Sequence, residues 1–355
     1  MGFLFDWLLT LKCNYDCGYC GKGVNGNIPG HDNSRPHPDV DMALKMLEQG
    51  LRYVDTYMDI KKPNMRSAIL NIYGGEAVYH PHIEFLLTKS SELYGQYKDK
   101  WALTRQLTTN ASCGLEKWKK ISEHVEYTTF SWHSDGPVKL KNNFVKNLQY
   151  THESGKRYQV VVLMYPKAWD ECLYTITHFK KRGYNVRPKI LDGDEGVYTD
   201  KQLNDLAQFF PEFSSEFVEK NKGKKIQREG RACCGGKQMC IDRDYKSPVK
   251  FVERQTFMGW NCSANHFFLM ADTDSQQFYT NKDCWVNEGT TRGPIANLDN
   301  MDSYIEKIRD RLSQGADYFL TCVQKTCKCG ICAPKSVSKE SLSDVMKIYN
   351  QTLPA

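Results

Sequence analysis

The sequence predicts an α/β chain, a partial (β/α)6 barrel followed by a small, cysteine-rich α+β domain. Three observations point there. Short β-like runs and amphipathic helical stretches alternate over the first two-thirds of the 355 residues. Six strand–helix repeats in strict alternation imply a parallel sheet with right-handed crossovers. Beyond the Lys/Gly-rich passage Lys220–Gly230 the alternation stops, and nine of the fourteen cysteines crowd into 233–332.

The elements follow in order. Phe3–Leu11 is an apolar run that ends just before Cys13. Over Asp39–Asp59, the residues Val40, Leu44, Leu47, Leu51, Val54 and Met58 recur at steps of four and three, the period of a helix with one buried stripe. Ala68–Tyr73 is a strand ending at Gly74-Gly75, and Pro81–Lys98 is a helix with proline near its first turn. Further strands are expected at Gln106–Asn110, Tyr127–Trp132, Tyr158–Met164 and Asn185–Ile190, with helices around 115–123, 139–154 and 170–182. A helical stretch near 200–220 is interrupted by Pro211. The passage after it reads as a linker, which sets domains at 1–228 and 229–355. In such folds reactive groups sit on loops leaving the C-terminal ends of strands.

Composition excludes several function classes. A chain 40% hydrophobic and 25% charged is globular rather than disordered. Lys plus Arg (48) against Asp plus Glu (42) leaves +6, scattered and without a basic block, so no nucleic-acid partner is expected. No apolar run reaches the length of a membrane span. The opening MGFLFDWLLTLKC has neither a basic leader nor a small-residue cleavage site, and a cytoplasmic location is expected. Cytosol keeps thiols reduced, so clustered cysteines there point to metal binding.

The sharpest motif is Cys13-Asn14-Tyr15-Asp16-Cys17-Gly18-Tyr19-Cys20, C-x3-C-x2-C, on the loop after the first strand. Three thiolates so close can hold three corners of a cubane [4Fe-4S] cluster, which is normally held by four cysteines. The next cysteine is Cys113, so one iron would stay open to a ligand that is not protein. A structural zinc site is the competing reading. It needs a fourth ligand, for which His31 or His37 is available although the spacing recommends neither. An electron-transfer iron–sulfur protein with fully coordinated clusters is a third.

The arrangement resembles the radical S-adenosylmethionine (radical SAM) superfamily, over roughly residues 1–190. Position 19, between the second and third cysteines, is aromatic. A strand ends in Gly74-Gly75-Glu76, another in Thr109-Asn110-Ala111 where the family often has Thr-Asn-Gly, and a third in Ser131-Trp132-His133. The resemblance implies a TIM-like partial barrel that binds the cluster through Cys13, Cys17 and Cys20 and chelates S-adenosylmethionine on the open iron. It places Tyr19 near the adenine and lets Gly74 and Gly75 approach the methionine moiety. Glu76 would pair its amine, and Asn110, Ser131 and His133 would offer polar contacts. The implied chemistry is one-electron cleavage to methionine and a 5′-deoxyadenosyl radical, which takes hydrogen from an unactivated C–H. A flavodoxin or ferredoxin would supply the electron.

Gly259-Trp260-Asn261-Cys262, a hairpin turning at Asp272–Ser275, and then Cys284 resemble the opening of the accessory SPASM domain or its shorter form, twitch. The tail Cys322-x4-Cys327-x-Cys329-x2-Cys332 departs from the longer pattern and favours twitch with one auxiliary [4Fe-4S] cluster. Its expected ligands are Cys262, Cys284 and two of Cys327, Cys329 and Cys332, with Cys322 as a spare. Cys233, Cys234 and Cys240 could complete that cluster, hold a second one, donate a hydrogen atom, or be incidental. Zinc stays open for this whole field, because spacing alone does not distinguish the metals. Cys113 and Cys172 read as buried or incidental thiols. Relatives with such accessory domains often modify ribosomal peptides, so a peptide is the expected substrate, with a free amino acid or small molecule as the alternative.

Overall fold

The computed structural model describes residues 2–20, 32–61, 67–191, 197–210, 240–241, 259–280, 293–314, 319–322, 335–336, 338–340, 342–344 and 346. Six strand–helix units come first: β1 (Phe3–Thr10), α1 (Val40–Lys61), β2 (Ser67–Gly74), α2 (Ile83–Tyr94), β3 (Ala102–Thr109), α3 (Leu115–Glu123), β4 (Tyr127–Trp132), α4 (Val138–Glu153), β5 (Arg157–Met164), α5 (Trp169–Lys181), β6 (Val186–Ile190) and α6 (Asp200–Phe209). β7 (Cys240–Ile241), β8 (Asn261–Cys262), β9 (Phe268–Asp272), β10 (Gln277–Tyr279), β11 (Ala296–Asn297), α7 (Met301–Ser313), β12 (Leu320–Thr321) and β13 (Lys335–Ser336) follow.

The fold is α/β with a large, mostly parallel sheet. Strands β1 to β6 are neighbours in chain order, and every adjacent pair is parallel. Because that order never reverses, right-handed crossovers deliver successive helices to one face of the sheet. Alternation along each strand supplies that face with apolar side chains. Phe3, Phe5, Trp7 and Leu9 of β1, Leu70 and Ile72 of β2, Phe130 of β4 and Val160 and Val162 of β5 are all buried. Trp118 of α3 packs on Phe130 at 5.2 Å between ring centroids, and Phe144 of α4 reaches both Phe130 and Trp132. The expected stripe of α1 is present: Leu47, Leu51, Val54 and Met58 are buried, and Val40 and Leu44 are partly so. Pro188, which lacks an N–H, sits in β6 at the sheet's edge, where a missing donor costs least.

The opposite face carries hydrogen-bonding side chains. Asn71 donates from Nδ2 to Asp6 Oδ1 at 2.8 Å, and the Thr108 hydroxyl donates to Asn71 Oδ1 at 3.2 Å. Gln106 donates to the Thr129 hydroxyl at 3.3 Å.

The sheet does not stop at the expected boundary near residue 228. The hairpin expected around Asp272–Ser275 forms as β9–β10, with Asp272 paired to Gln277. Its first strand lies parallel to β1, Leu4 opposite Phe268, so the sheet gains β9, β10 and β11 on that side. Helix α7 then packs on α1, where Tyr53 and Tyr304 stack at 6.3 Å and Arg52 pairs with Asp302. A second, four-stranded sheet has the order β12-β8-β13-β7.

Candidate active site

The three-cysteine loop leaves the C-terminal end of β1 and is held by loops from β2, β3, β4 and the β9–β10 turn. Leu11 N–H donates to Asp274 Oδ2 at 2.6 Å, Cys13 N–H to Asn33 Oδ1 at 2.9 Å and Glu76 N–H to the Lys12 carbonyl at 2.9 Å. Asn14 donates to the Ser112 hydroxyl at 2.6 Å and accepts from Asn110 Nδ2 at 3.0 Å. Glu76, the Asn110–Ser112 pair and Asp274 come from three different strand ends, so the sheet gathers on one edge groups that lie far apart in sequence.

Along the loop, Cys13 is half-buried, Cys17 buried and Cys20 exposed. Burial, with the nearby Glu76 carboxylate second, pushes the Cys13 thiol up to about 12. Burial and Asp135 push Cys17 up as well. Burial thus favours the protonated thiols until a metal displaces the proton. No three His, Cys, Asp or Glu side chains among the described residues converge as the ligands of one metal ion would. Thiolates on different irons of a cubane face one cluster without meeting at a single ion. His37, weighed above as a zinc ligand, instead lies near Thr10 (3.4 Å) and packs on Tyr79 and His80. Burial and the neighbouring His80 push its imidazole down to about 4. His31 lies outside the described residues.

Gly74 and Gly75 serve a close approach, but toward the protein itself. A Cβ on Gly74 would stand 2.2 Å from the Thr10 carbonyl oxygen, and one on Gly75 would stand 2.4 Å from that of Leu11. The end of β2 is therefore pressed against the base of the cysteine loop. Glu76 follows, only 2% exposed. Its Oε1 accepts from Val78 N–H (3.0 Å) and the Thr109 hydroxyl (2.6 Å), and its Oε2 accepts from Asn110 N–H. The carboxylate thus ties the end of β2 to the end of β3. Burial raises it to about 7 against the pull of these three donors. Ala111, where the related motif has glycine, has φ +47°, the left-handed region that glycine enters most easily.

The β4 end does more than the sequence suggested. Ser131 is half-buried and, one residue before Trp132, projects to the face away from the helices. His133 turns onto the cysteine loop. Its ring stacks on Tyr19 (5.9 Å, 7°) and meets Tyr15 edge-on (5.8 Å, 86°). Its Nδ1 lies 2.8 Å from the Tyr19 hydroxyl and 3.5 Å from Cys17 Sγ. Burial pushes the imidazole down to about 4, so it is neutral at neutral pH. Asp135 accepts from Gly18 N–H at 3.1 Å, and a Cβ on Gly136 would meet the Tyr15 ring at 2.6 Å. Tyr165, after β5, packs on Tyr19 at 4.9 Å. Sequence reasoning missed Tyr15, Asp135, Gly136 and Tyr165. The Asp-Gly turn directly after a strand was the one available signal.

Of the C-terminal cysteines, Cys284, Cys327, Cys329 and Cys332 lie outside the described residues, as do Cys233 and Cys234. In the small sheet Cys262 of β8 faces Leu320 of β12. Cys322 exchanges two backbone bonds at 2.8 Å with Gly259 and Trp260. That register puts Cys322 a diagonal step from Cys262, and both are buried. Cys240 and Cys262 stand opposite Lys335 from its two sides. Cys172 is buried with its thiol 3.3 Å from the Leu163 carbonyl, and Cys113 is half-buried.

No helix among the described residues is long and apolar enough to cross a membrane. No family model matches the sequence, and neither does any curated protein. Among solved structures the chain is similar to native anSMEcpe with bound AdoMet, at 12% identity over 99% of each chain with a TM-score of 0.49. It is also similar to native anSMEcpe with bound AdoMet and Cp18Cys peptide, at 12% identity over 98% of this chain and 99% of that one with a TM-score of 0.47.

Proposed function

We propose that the chain is a radical SAM enzyme that modifies a peptide by hydrogen abstraction. One observation carries the reading: a C-x3-C-x2-C loop at the C-terminal end of β1 is clasped by the loops after β2, β3 and β4, which bear the other three motifs. The residues present fit the group. Cys13, Cys17 and Cys20 would hold a [4Fe-4S] cluster, a donor set that leaves one iron for S-adenosylmethionine. Together the bound cluster and S-adenosylmethionine would supply a 5′-deoxyadenosyl radical able to take hydrogen from an unactivated C–H.

The chain's own residues prepare that chemistry. Gly74 and Gly75 fix the depth of the loop, and Glu76 locks the two strand ends behind it. Tyr19 would lie near the adenine, and Asn110 and Ser131 would offer polar contacts. The face of the sheet away from the described helices, with Asn71, Gln106, Thr108 and Thr129, suits a substrate rich in amide donors and acceptors. Residues 1–228 would form the partial barrel and 229–355 a twitch-like domain, with Cys262, Cys284 and two of the tail cysteines around an auxiliary [4Fe-4S] cluster. Its electrons would come from a flavodoxin or ferredoxin.

The test is anaerobic reconstitution followed by iron and acid-labile sulfide analysis. Dithionite-reduced protein is then assayed for conversion of S-adenosylmethionine to 5′-deoxyadenosine. The expected result is cluster iron with sulfide, and cleavage that disappears when Cys13, Cys17 and Cys20 are changed to alanine. Zinc alone would overturn the reading in favour of a stapled binding module. Iron and sulfide without cleavage would favour an electron carrier.

A further inference from the structure

Resting on that reading, we propose that His133 donates a hydrogen bond from Nδ1 to the Cys17 sulfur once that sulfur ligates the cluster, and thereby sets the reduction potential of the radical-generating centre. The ring has little freedom to do anything else. Tyr19 covers one face, Tyr15 closes an edge, and Gly136 leaves space for that tyrosine where any side chain would collide. Nδ1 is the nitrogen that faces the loop, 3.5 Å from Cys17 Sγ and 2.8 Å from the Tyr19 hydroxyl.

The donor inventory decides the direction of the bond. A thiol and a phenol can each donate to an unprotonated Nδ1. A cluster-bound thiolate has no proton and only accepts. With an unprotonated Nδ1 the Tyr19 hydroxyl can still donate to the ring, but the nitrogen lone pair then faces the thiolate 3.5 Å away. The Nδ1–H tautomer removes that conflict, because its proton lies between the sulfur and the phenol oxygen. The phenol can then direct its own proton to Asp135, which also neighbours it. Such a bond strengthens as an electron adds negative charge to the sulfur. It therefore favours the reduced cluster and raises its potential. His133 is thus a positioning and tuning residue that acts through Cys17.

The test compares two variants of the reconstituted full chain with the parent. Iron and sulfide are counted, and the midpoint potential is taken from the electron paramagnetic resonance signal that changes on adding S-adenosylmethionine. His133→Phe keeps a flat ring and removes the donor, and a more negative midpoint at full cluster content is expected. His133→Asn keeps an amide donor near the Nδ1 position and should stay close to the parent. A parental midpoint in the Phe variant at full cluster content overturns the proposal. So does an Asn variant that moves as far as Phe, which would assign the effect to ring packing. Should the Phe variant assemble no cluster, the Asn variant decides, and a midpoint far from the parent's at full cluster content overturns the proposal. A parent whose cluster signal ignores S-adenosylmethionine defeats the radical SAM reading itself, and this inference with it. A responsive cluster indifferent to position 133 defeats this inference alone.

Discussion

Gly75 and Leu11 approach so closely that a Cβ on the glycine would lie 2.4 Å from the leucine carbonyl oxygen and 2.6 Å from that of Lys12. Both obstacles are backbone, which cannot rotate away as a side chain can. A single methyl at Gly75 must therefore push the cysteine loop off the end of β2.

Gly75→Ala is expected to cost about 1–3 kcal/mol of overpacking, concentrated in the loop that carries the three thiols. Bound iron and sulfide per chain should fall well below the parent. Gly114→Ala is the control, because a Cβ at Gly114 meets nothing within 4 Å. Equal cluster content in the two variants would show that the loop yields freely.

Tyr15 and Gly136 form the matching contact on the other side. Gly136→Ala forces a Cβ to 2.6 Å of the Tyr15 ring. That ring can shift, whereas the His133 carbonyl 3.1 Å from the same Cβ cannot, and Tyr15→Ala removes the ring altogether. The two substitutions should therefore be non-additive. The double variant is expected to be more stable than the sum of the singles predicts, by about 0.5–3 kcal/mol, the usual coupling of residues in contact. Denaturant titrations of all four proteins measure it. Strict additivity would mean the β4 loop does not rest on Tyr15.

The fold was legible because period-2 and period-3.6 patterns are local. Leu47, Leu51 and Val54 of α1, or the alternation in β4, need no knowledge of distant chain to be read. The pairing of β9 with β1 was not legible, because Phe268–Asp272 is uniformly buried and carries no alternation to say which sheet it joins. At the site, Gly74-Gly75-Glu76 stood out as a motif, yet its physical job did not. It takes the folded chain to bring the glycines against Thr10 and Leu11 and the carboxylate onto Val78, Thr109 and Asn110. His133 was noticed as a polar strand end, but its contact with Cys17 spans 116 residues of sequence. No spacing rule reaches that far.

Ala111 occupies a left-handed conformation at φ +47° and is fully buried. Its backbone is held there by Thr109 Oγ1, which accepts the Ala111 N–H at 2.8 Å, and by Asn147, which donates to the Ala111 carbonyl at 2.9 Å. Replacement by glycine relieves strain of about 1–2 kcal/mol. It also removes a buried methyl worth about 0.8 kcal/mol and adds unfolded-state freedom of similar size. These effects nearly cancel, so Ala111→Gly should leave stability within about 1 kcal/mol of the parent. Ala111→Val places a β-branched residue in that region and should destabilise by more than about 2 kcal/mol. Parallel denaturant titrations check both. A neutral valine variant would show that the turn is free to change its backbone angle.

Glu76 gives the site a pH signature. Burial holds its carboxyl at about 7 in the fold against an ordinary value of 4.5, despite the bonds from Thr109, Asn110 and Val78 that pull it down. Between those values the folded chain keeps a proton that the unfolded chain has released. Its contribution to stability is therefore complete below the ordinary value and is lost as pH rises through about 7. Between about pH 6 and about pH 8 the parent should lose about 1.4 kcal/mol relative to Glu76→Gln, which cannot titrate. Glutamine keeps an acceptor for Val78 and Thr109 but sets an amide N–H against that of Asn110. Its absolute stability is thus expected to be lower, and the difference in slope is the quantity to read. Unfolding titrations of both proteins across that range measure it. Parallel slopes would place the Glu76 carboxyl back in the ordinary range, and a steeper glutamine slope would reverse the sign argued here.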